Sequence, residues 1–253
     1  MRRLSLLFLI LLLITACGKK GALIYPDMLV PAAPTTVTVR QVGPSMKLAF
    51  ALPDKDKAGQ ALTDLAGVRI LRREAILGQE VGCSSCANDF RVFKTMYVDH
   101  IDASARHYGR LFMLLDNDVR VGSEYAYKVI AFTKGNVDGD ASKPVFASLA
   151  QAPPSPVLQA VSAPTEIKLE FAGRPPLEGV LAGYNLYRWI KGDALPFLEL
   201  NKEPLVQNSF IDTGLERGVI YLYAVRMVVR LPKGEIVESA LSNEAEAALR
   251  DDE

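Results

Sequence analysis

The sequence has no excess of charge of either sign: 29 basic side chains stand against 29 acidic ones. That balance argues against the strongly basic face of a nucleic-acid binder. There is no glycine-rich phosphate loop, no G-x-S-x-G and no H-E-x-x-H, so three common catalytic signatures are absent. His100 and His107 are the only histidines, and no nucleophile stands near them in sequence. The apolar run at residues 4–14 is shorter than the ~20 residues a spanning helix needs. Only three cysteines occur, Cys17, Cys83 and Cys86, which leaves one over if the last two pair.

What is present is ample core material and an ordered N-terminus. With 49% hydrophobic residues, 253 residues can bury one large core or two ordinary ones. Arg2 and Arg3 precede the apolar run, and Thr15 and Ala16 follow it as small residues. A positive start, a short apolar stretch and a small-residue site read as a secretion signal over residues 1–16. Ile14-Thr15-Ala16-Cys17 resembles the lipobox of bacterial lipoproteins, with Ile14 where Leu is usual. The resemblance implies cleavage before Cys17, acyl chains on its sulfur and its amino group, and a membrane as partner. Several chains on one residue anchor firmly, at roughly 0.8 kcal/mol per buried CH2. Gly18, where Asp would imply retention at the inner membrane, implies the outer membrane and a periplasm-facing protein. Cleavage removes two arginines and leaves 27 basic against 29 acidic residues, a net charge of −2.

Residues 17–33 are rich in Pro, Gly and Ala and read as a flexible, lipid-anchored tether. A second Pro-rich punctuation, Pro153-Pro154-Ser155-Pro156, divides the remainder into residues 34–150 and 153–249. The two stretches repeat each other. Met46-Lys47-Leu48-Ala49-Phe50 matches Ile167-Lys168-Leu169-Glu170-Phe171. Leu65-Ala66-Gly67-Val68-Arg69-Ile70-Leu71-Arg72 matches Leu181-Ala182-Gly183-Tyr184-Asn185-Leu186-Tyr187-Arg188. LLDNDVRVGSEYAYKV matches FIDTGLERGVIYLYAV, with Asp, Gly and Tyr-x-Tyr at equal spacing. Short period-2 strands separated by turns predict β-sandwiches.

Gly122-x-x-Tyr125-x-Tyr127 and Gly218-x-x-Tyr221-x-Tyr223 resemble the tyrosine corner of fibronectin type III domains. The resemblance covers residues 34–249 and implies an all-β chain of two tandem immunoglobulin-like sandwiches. Tyr125 and Tyr221 would pack inward and bond backbone upstream through their hydroxyls, beside the turn glycines Gly122 and Gly218. Phe50 and Phe171 stand where the family often has Trp. The first stretch carries an insertion at about residues 77–108, in which residues 90–98 alternate like an added strand.

The insertion contains the C-x-x-C pair, Cys83 and Cys86. With His100 and His107 it approaches a zinc-finger spacing, but both histidine gaps exceed the usual pattern and residues 91–99 alternate as a strand. A thioredoxin-like centre needs its first thiol at a helix N-terminus, whereas Gly82, Ser84 and Ser85 suggest a loop. In an oxidising compartment the favoured reading is a disulfide closing the loop tip, worth roughly 2 kcal/mol for so short a ring. Tyr184, Tyr187 and Trp189 share one strand, where alternation is expected to bring them to one face. They form either core or an aromatic binding platform, with Tyr187 and Trp189 the candidate ligand contacts. Asp54-Lys55-Asp56-Lys57 reads as a solvated turn. Asp138-x-Asp140, with Gly135, Asn136 and Gly139, reads as a hairpin turn rather than a calcium loop.

These features predict a non-enzymatic envelope lipoprotein without metal or cofactor, which binds an envelope protein or glycan and no nucleic acid. An alternative rests on Cys17-Gly18-Lys19-Lys20-Gly21-Ala22-Leu23-Ile24-Tyr25-Pro26. That run resembles the opening of a small lipoprotein that assists maturation of the outer-membrane lipopolysaccharide translocon, which would imply an assembly factor.

Overall fold

The computed structural model describes residues 25–76 and 89–250. Cys17, Cys83 and Cys86, with the lipidation and disulfide assigned to them, lie outside the described residues.

Apart from one 3-10 turn at Pro26–Met28, the regular elements of the described chain are all β-strands. The first sandwich uses β1 (Thr35–Val42), β2 (Ser45–Ala51), β3 (Leu65–Ile76), β4 (Arg91–Tyr97), β5 (Ala105–Tyr108), β6 (Leu111–Asp116), β7 (Ser123–Thr133), β8 (Asp138–Ala141) and β9 (Val145–Ser148). One layer runs β1-β2-β6-β5; the other runs β4-β3-β7-β8, with β9 also on β7. The second sandwich uses β10 (Val157–Ser162), β11 (Glu166–Ala172), β12 (Val180–Ile190), β13 (Ser209–Thr213), β14 (Tyr221–Arg230), β15 (Ile236–Glu238) and β16 (Ala245–Ala247). Its layers are β10-β11-β13 and β12-β14-β15, with β16 also on β14.

Alternation places the core. Ile167, Leu169 and Phe171 of β11 point inward, while Lys168 and Glu170 point out. Met46, Leu48 and Phe50 do the same in β2. Each fully buried aliphatic or aromatic side chain contributes about 1.5–3 kcal/mol. Two separate clusters result, one around Phe50, Ile70, Leu114 and Tyr127, the other around Ile167, Leu186, Tyr223 and Val225. The segment expected as an insertion adds β4, an edge strand on β3, and β5.

The repeated Leu-Ala-Gly marks a bulge at the same place in both sandwiches. The ladder shifts between Leu65 and Gly67, and again between Leu181 and Gly183. A Cβ on Gly67 would stand 2.1 Å from the Met96 carbonyl oxygen; on Gly183 it would stand 2.7 Å from that of Leu205. Only glycine admits the crossing chain so closely. At Gly183 that chain closes the edge of β12, since Tyr184 and Leu205 exchange backbone hydrogen bonds of 3.0 and 2.8 Å.

The two sandwiches are not beads on a string. β15 of the second pairs in parallel with β1 of the first, Gln41 opposite Val237 and Val42 opposite Glu238. A continuous sheet, β12-β14-β15-β1-β2-β6-β5, therefore passes through both. The Pro-rich link is pinned at its start: the buried Gln41 side chain donates to the Ala150 carbonyl (2.8 Å) and accepts from the Ala150 N–H (2.9 Å). Beyond the link, Asn243 accepts from the Leu158 N–H (3.0 Å) and donates to its carbonyl (2.9 Å).

Two sequence expectations change. The tether expected to run free to residue 33 is docked from Met28 onward: Ala58 donates to the Met28 carbonyl and Lys57 to that of Val30, while Ala32 donates to Lys55. The turn at Asp54–Lys57 is consequently not simply solvated. Asp56 is buried and its carboxylate accepts from the Gln60 N–H at 2.8 Å.

Candidate functional site: the buried junction and the tyrosine corners

The outer face of β2 carries Lys47, which would be solvated in an isolated sandwich. Here it is 4% exposed, because the segment after β12 covers it. Its ammonium donates to the Phe197 carbonyl (3.0 Å) and to Glu199 Oε1 (2.8 Å). Arg40, on the neighbouring strand β1, pairs with the same Glu199 oxygen and with Glu238 Oε1 at 3.1 Å. Glu238 is fully buried; Asn185 and Tyr187 each donate to its carboxylate at 3.1 Å, and Arg226 lies 3.9 Å away. Two cations of the first sandwich thus meet two carboxylates of the second. Tyr108 completes the seam by accepting from the Phe197 N–H at 2.8 Å, and Arg106 stacks over the Phe197 ring.

Charges withdrawn from water this far are held only by partners. Burial lowers the Lys47 pKa below the ordinary lysine value; Glu238 and Glu199 offset part of that, and Arg40 deepens it. Burial would raise Glu199, but Lys47 and Arg40 outweigh it and hold the carboxyl below the ordinary glutamate value. Burial likewise opposes the charge of Arg40, and Glu238 and Glu199 reverse the effect, so its pKa is raised. Arg226 is lowered by burial despite Tyr187 and Glu238. Tyr187 is raised, first by burial and then by the two carboxylates.

The corners are built alike. Tyr125 accepts from the Arg120 N–H at 2.8 Å, and Tyr221 accepts from the Glu216 N–H at 3.0 Å, each five residues upstream. Gly122 and Gly218 turn the chain at φ of 87° and 76°, where a side chain would be strained. Two residues beyond each corner tyrosine a second one is fully buried and donates to a carboxylate: Tyr127 to Asp116 (2.7 Å), Tyr223 to Asp212 (2.8 Å). Each carboxylate in turn takes an arginine from the second repeated motif. Arg72 meets Asp116 at 2.8 and 3.0 Å, and Arg188 meets Asp212 at 2.9 and 3.0 Å. Burial and then the aspartate raise Tyr127; burial and the Asp212 hydrogen bond raise Tyr223. This Arg–Asp–Tyr triad went unread in the sequence. Its signal was there: Arg72 and Arg188 close one repeated motif, and Asp116 and Asp212 stand in another.

The aromatic platform requires correction. Residues of one strand share a face only at even spacing, so Tyr184 faces away from Tyr187 and Trp189. Tyr184 packs in the second core, while Tyr187 and Trp189 form a separate cluster with Ala224. They are 3% and 8% exposed. Tyr187 is committed to Glu238 and Arg226 and offers no ligand face. Trp189 edges a cleft of about 650 Å3 between the sandwiches, lined also by Arg106, Tyr108, Arg188, Asp193 and Glu216. The histidines are not brought together as a site: His107 stacks on Phe112, ring centroids 5.5 Å apart, and His100 follows β4 on the surface. Asp138 and Asp140 lie in β8 and pair with Arg69 and Lys57, while the turn itself centres on Asn136 at φ 61°. Among the described residues, no cluster of three or more His, Cys, Asp or Glu is placed to hold a metal.

No family model matches the chain, and no curated protein does. Among solved structures it is similar to the FN1–FN3 domains of chicken CNTN1, at 16% identity over 88% of this chain and a TM-score of 0.31. It is also similar to an Fn3-like protein from Clostridium thermocellum, at 26% identity over 40% of this chain and 98% of that one, again with a TM-score of 0.31. The chain spans 66% of the CNTN1 fragment, just under two thirds of its length. Scores this low add no argument of their own. The class follows from strand order and corners: an all-β protein of two fibronectin type III-like sandwiches.

Proposed function

We propose that this protein is a non-enzymatic scaffold of the bacterial envelope, held by acyl chains on Cys17 at the periplasmic side of the outer membrane. The observation that carries the reading is the use made of its polar interior. Among the described residues, the groups with displaced pKa values belong to the junction, to the Arg–Asp–Tyr triads and corners, or to two surface carboxylates, Asp102 and the Arg72 partner Asp118. Such shifts mark catalytic sites when they gather in a cleft. Here they join structural elements and leave a rigid body with loops free for recognition. Anchoring raises the effective concentration of that body at the membrane without any new contact.

The binding surface we assign is the inserted segment between Ile76 and Asp89, with Cys83 and Cys86 joined as a disulfide, and an envelope protein or glycan as partner. The test is cross-linking in intact cells, comparing the native protein with Cys17→Ser and with a deletion of residues 77–88. The native protein should sediment with outer membranes and capture a partner. Cys17→Ser should carry no acyl mass, keep its signal segment uncleaved and be missing from the outer-membrane fraction, and the deletion should stay on the outer membrane without its cross-link. Outer-membrane sedimentation of Cys17→Ser equal to that of the native protein would refute the anchor; an undiminished cross-link in the deletion would refute the binding surface.

A further inference from the structure

Where the anchored chain becomes part of the fold limits how the protein can face its membrane. Pro26–Met28 forms a single 3-10 turn, and from there the chain is fastened to one end of the first sandwich. The carbonyls of Met28 and Val30 accept from Ala58 and Lys57 at 3.0 Å, Ala32 donates to Lys55 at 3.1 Å, and Asp140 donates to the Pro31 carbonyl at 3.2 Å. Packing is close enough that a Cβ on Gly139 would stand 2.2 Å from the Pro31 oxygen. Eight residue-to-residue steps separate Cys17 from Tyr25 in sequence. At 3.3–3.6 Å per residue, they can hold Tyr25 no more than about 29 Å from the acylated cysteine.

The fastened end has the surface such proximity calls for. Tyr25, Leu29 and Val137 are 60%, 51% and 49% exposed. Leu29 adjoins the segment docked on the loop before β3, and Val137 caps the β7–β8 hairpin that Pro31 touches. Of the acids nearby, Asp140 pairs with Lys57, Asp138 with Arg69 and Asp54 with Arg110, while Asp27 is exposed between Tyr25 and Leu29. An aromatic ring and two aliphatic side chains beside an acyl anchor suit the interfacial layer of a bilayer. β7 runs from this end to the tyrosine corner, and its 11 residues extend for about 36 Å at ~3.3 Å each. Val121, 64% exposed, stands at the far end, as does Ile76, where the inserted segment leaves β3 opposite Ser123.

We propose that the end of the first sandwich formed by Tyr25, Leu29 and Val137 meets the lipid surface, and that the corner end with the Ile76–Asp89 insertion faces the aqueous space. The proposal rests on the acylation of Cys17 and adds to it a defined orientation. Full-length protein acylated in its host would be reconstituted into phosphatidylethanolamine–phosphatidylglycerol vesicles carrying a dansyl-headgroup lipid. Leu29→Trp, Val137→Trp and Val121→Trp each add a donor at an exposed position, over the constant emission of native Trp189. The expected result is several-fold stronger energy transfer to the dansyl lipid from positions 29 and 137 than from 121. Equal or stronger transfer from position 121, in protein that floats with the vesicles, would overturn the orientation and leave the anchor standing. Protein that does not float would overturn both.

Discussion

Lys47 and Glu199 lie 152 residues apart in sequence and 2.8 Å apart in the structure, the lysine almost wholly removed from water. This contact, with the β1–β15 pairing and Gln41–Ala150, makes one body of two repeats. Removing one member of a buried pair leaves the other without compensation, typically at about 3–5 kcal/mol. Arg40 also faces Glu199, which keeps some access to water. Lys47→Met should therefore cost about 2–3 kcal/mol. In the double variant with Glu199→Gln the loss should be smaller than the sum of the two single losses, by about 1 kcal/mol or more. Urea midpoints of the four proteins check this.

The triads predict an asymmetry. Asp212 is almost fully buried, whereas Arg188 keeps 30% of its side-chain surface exposed. Arg188→Ala leaves a buried carboxylate with only the Tyr223 hydroxyl as side-chain donor, and should cost about 2–4 kcal/mol. Asp212→Asn leaves a guanidinium that water can reach and should cost clearly less. Arg72→Ala and Asp116→Asn should repeat that order in the first sandwich. Thermal midpoints measured at one pH decide it.

Stability should fall at both ends of the pH range. The Glu199 pKa is depressed on folding, so its contribution is complete above the ordinary glutamate value of 4.5 and is lost as pH drops through the folded value. Tyr127, Tyr187 and Tyr223 are raised above 10.0, so their contribution is complete below pH 10 and is lost as pH climbs beyond it. Lys47 acts in the opposite sense: its depressed pKa makes stability rise with pH below 10.5. Three tyrosines outweigh one lysine, so alkaline unfolding should set in above pH 10. Tyr187→Phe should make that decline shallower in urea titrations run across pH.

The strap before β1 should be separable from the core. Gly139→Ala places a methyl group against the Pro31 carbonyl and must push the chain off the hairpin. Amide exchange at Ala32 and Asp140, which share hydrogen bonds with this contact's neighbours, should quicken by an order of magnitude or more, while Val129 and Val225 in the cores stay protected. Hydrogen exchange with peptide or residue resolution reads both.

The fold was legible because a strand's two faces are written locally. Met46, Leu48 and Phe50 alternate with Lys47 and Ala49, and the same alternation recurs at Ile167, Leu169 and Phe171. The repeated glycines were legible as turns at Gly122 and Gly218; at Gly67 and Gly183 their reason, a chain crossing within contact distance, belongs to the folded state alone. The junction was not legible. Lys47 looks solvent-facing within its own strand, and only the approach of Phe197 and Glu199 buries it. One clue lay in β14, whose second face carries Leu222, Ala224 and Val228, as in a sheet covered from both sides. Tyr184 was misread by a parity error: at odd spacing it was counted on a face that only Tyr187 and Trp189 share.

The central claim is that two sandwiches act as one rigid body. It is tested most directly by unfolding the protein in urea with a probe in each half: the fluorescence of Trp189 in the second sandwich, and amide exchange at β3 and β7 in the first. Coincident midpoints, with both shifted together by Lys47→Met, are predicted. Separate transitions, or a Lys47→Met shift confined to the first sandwich, would contradict it.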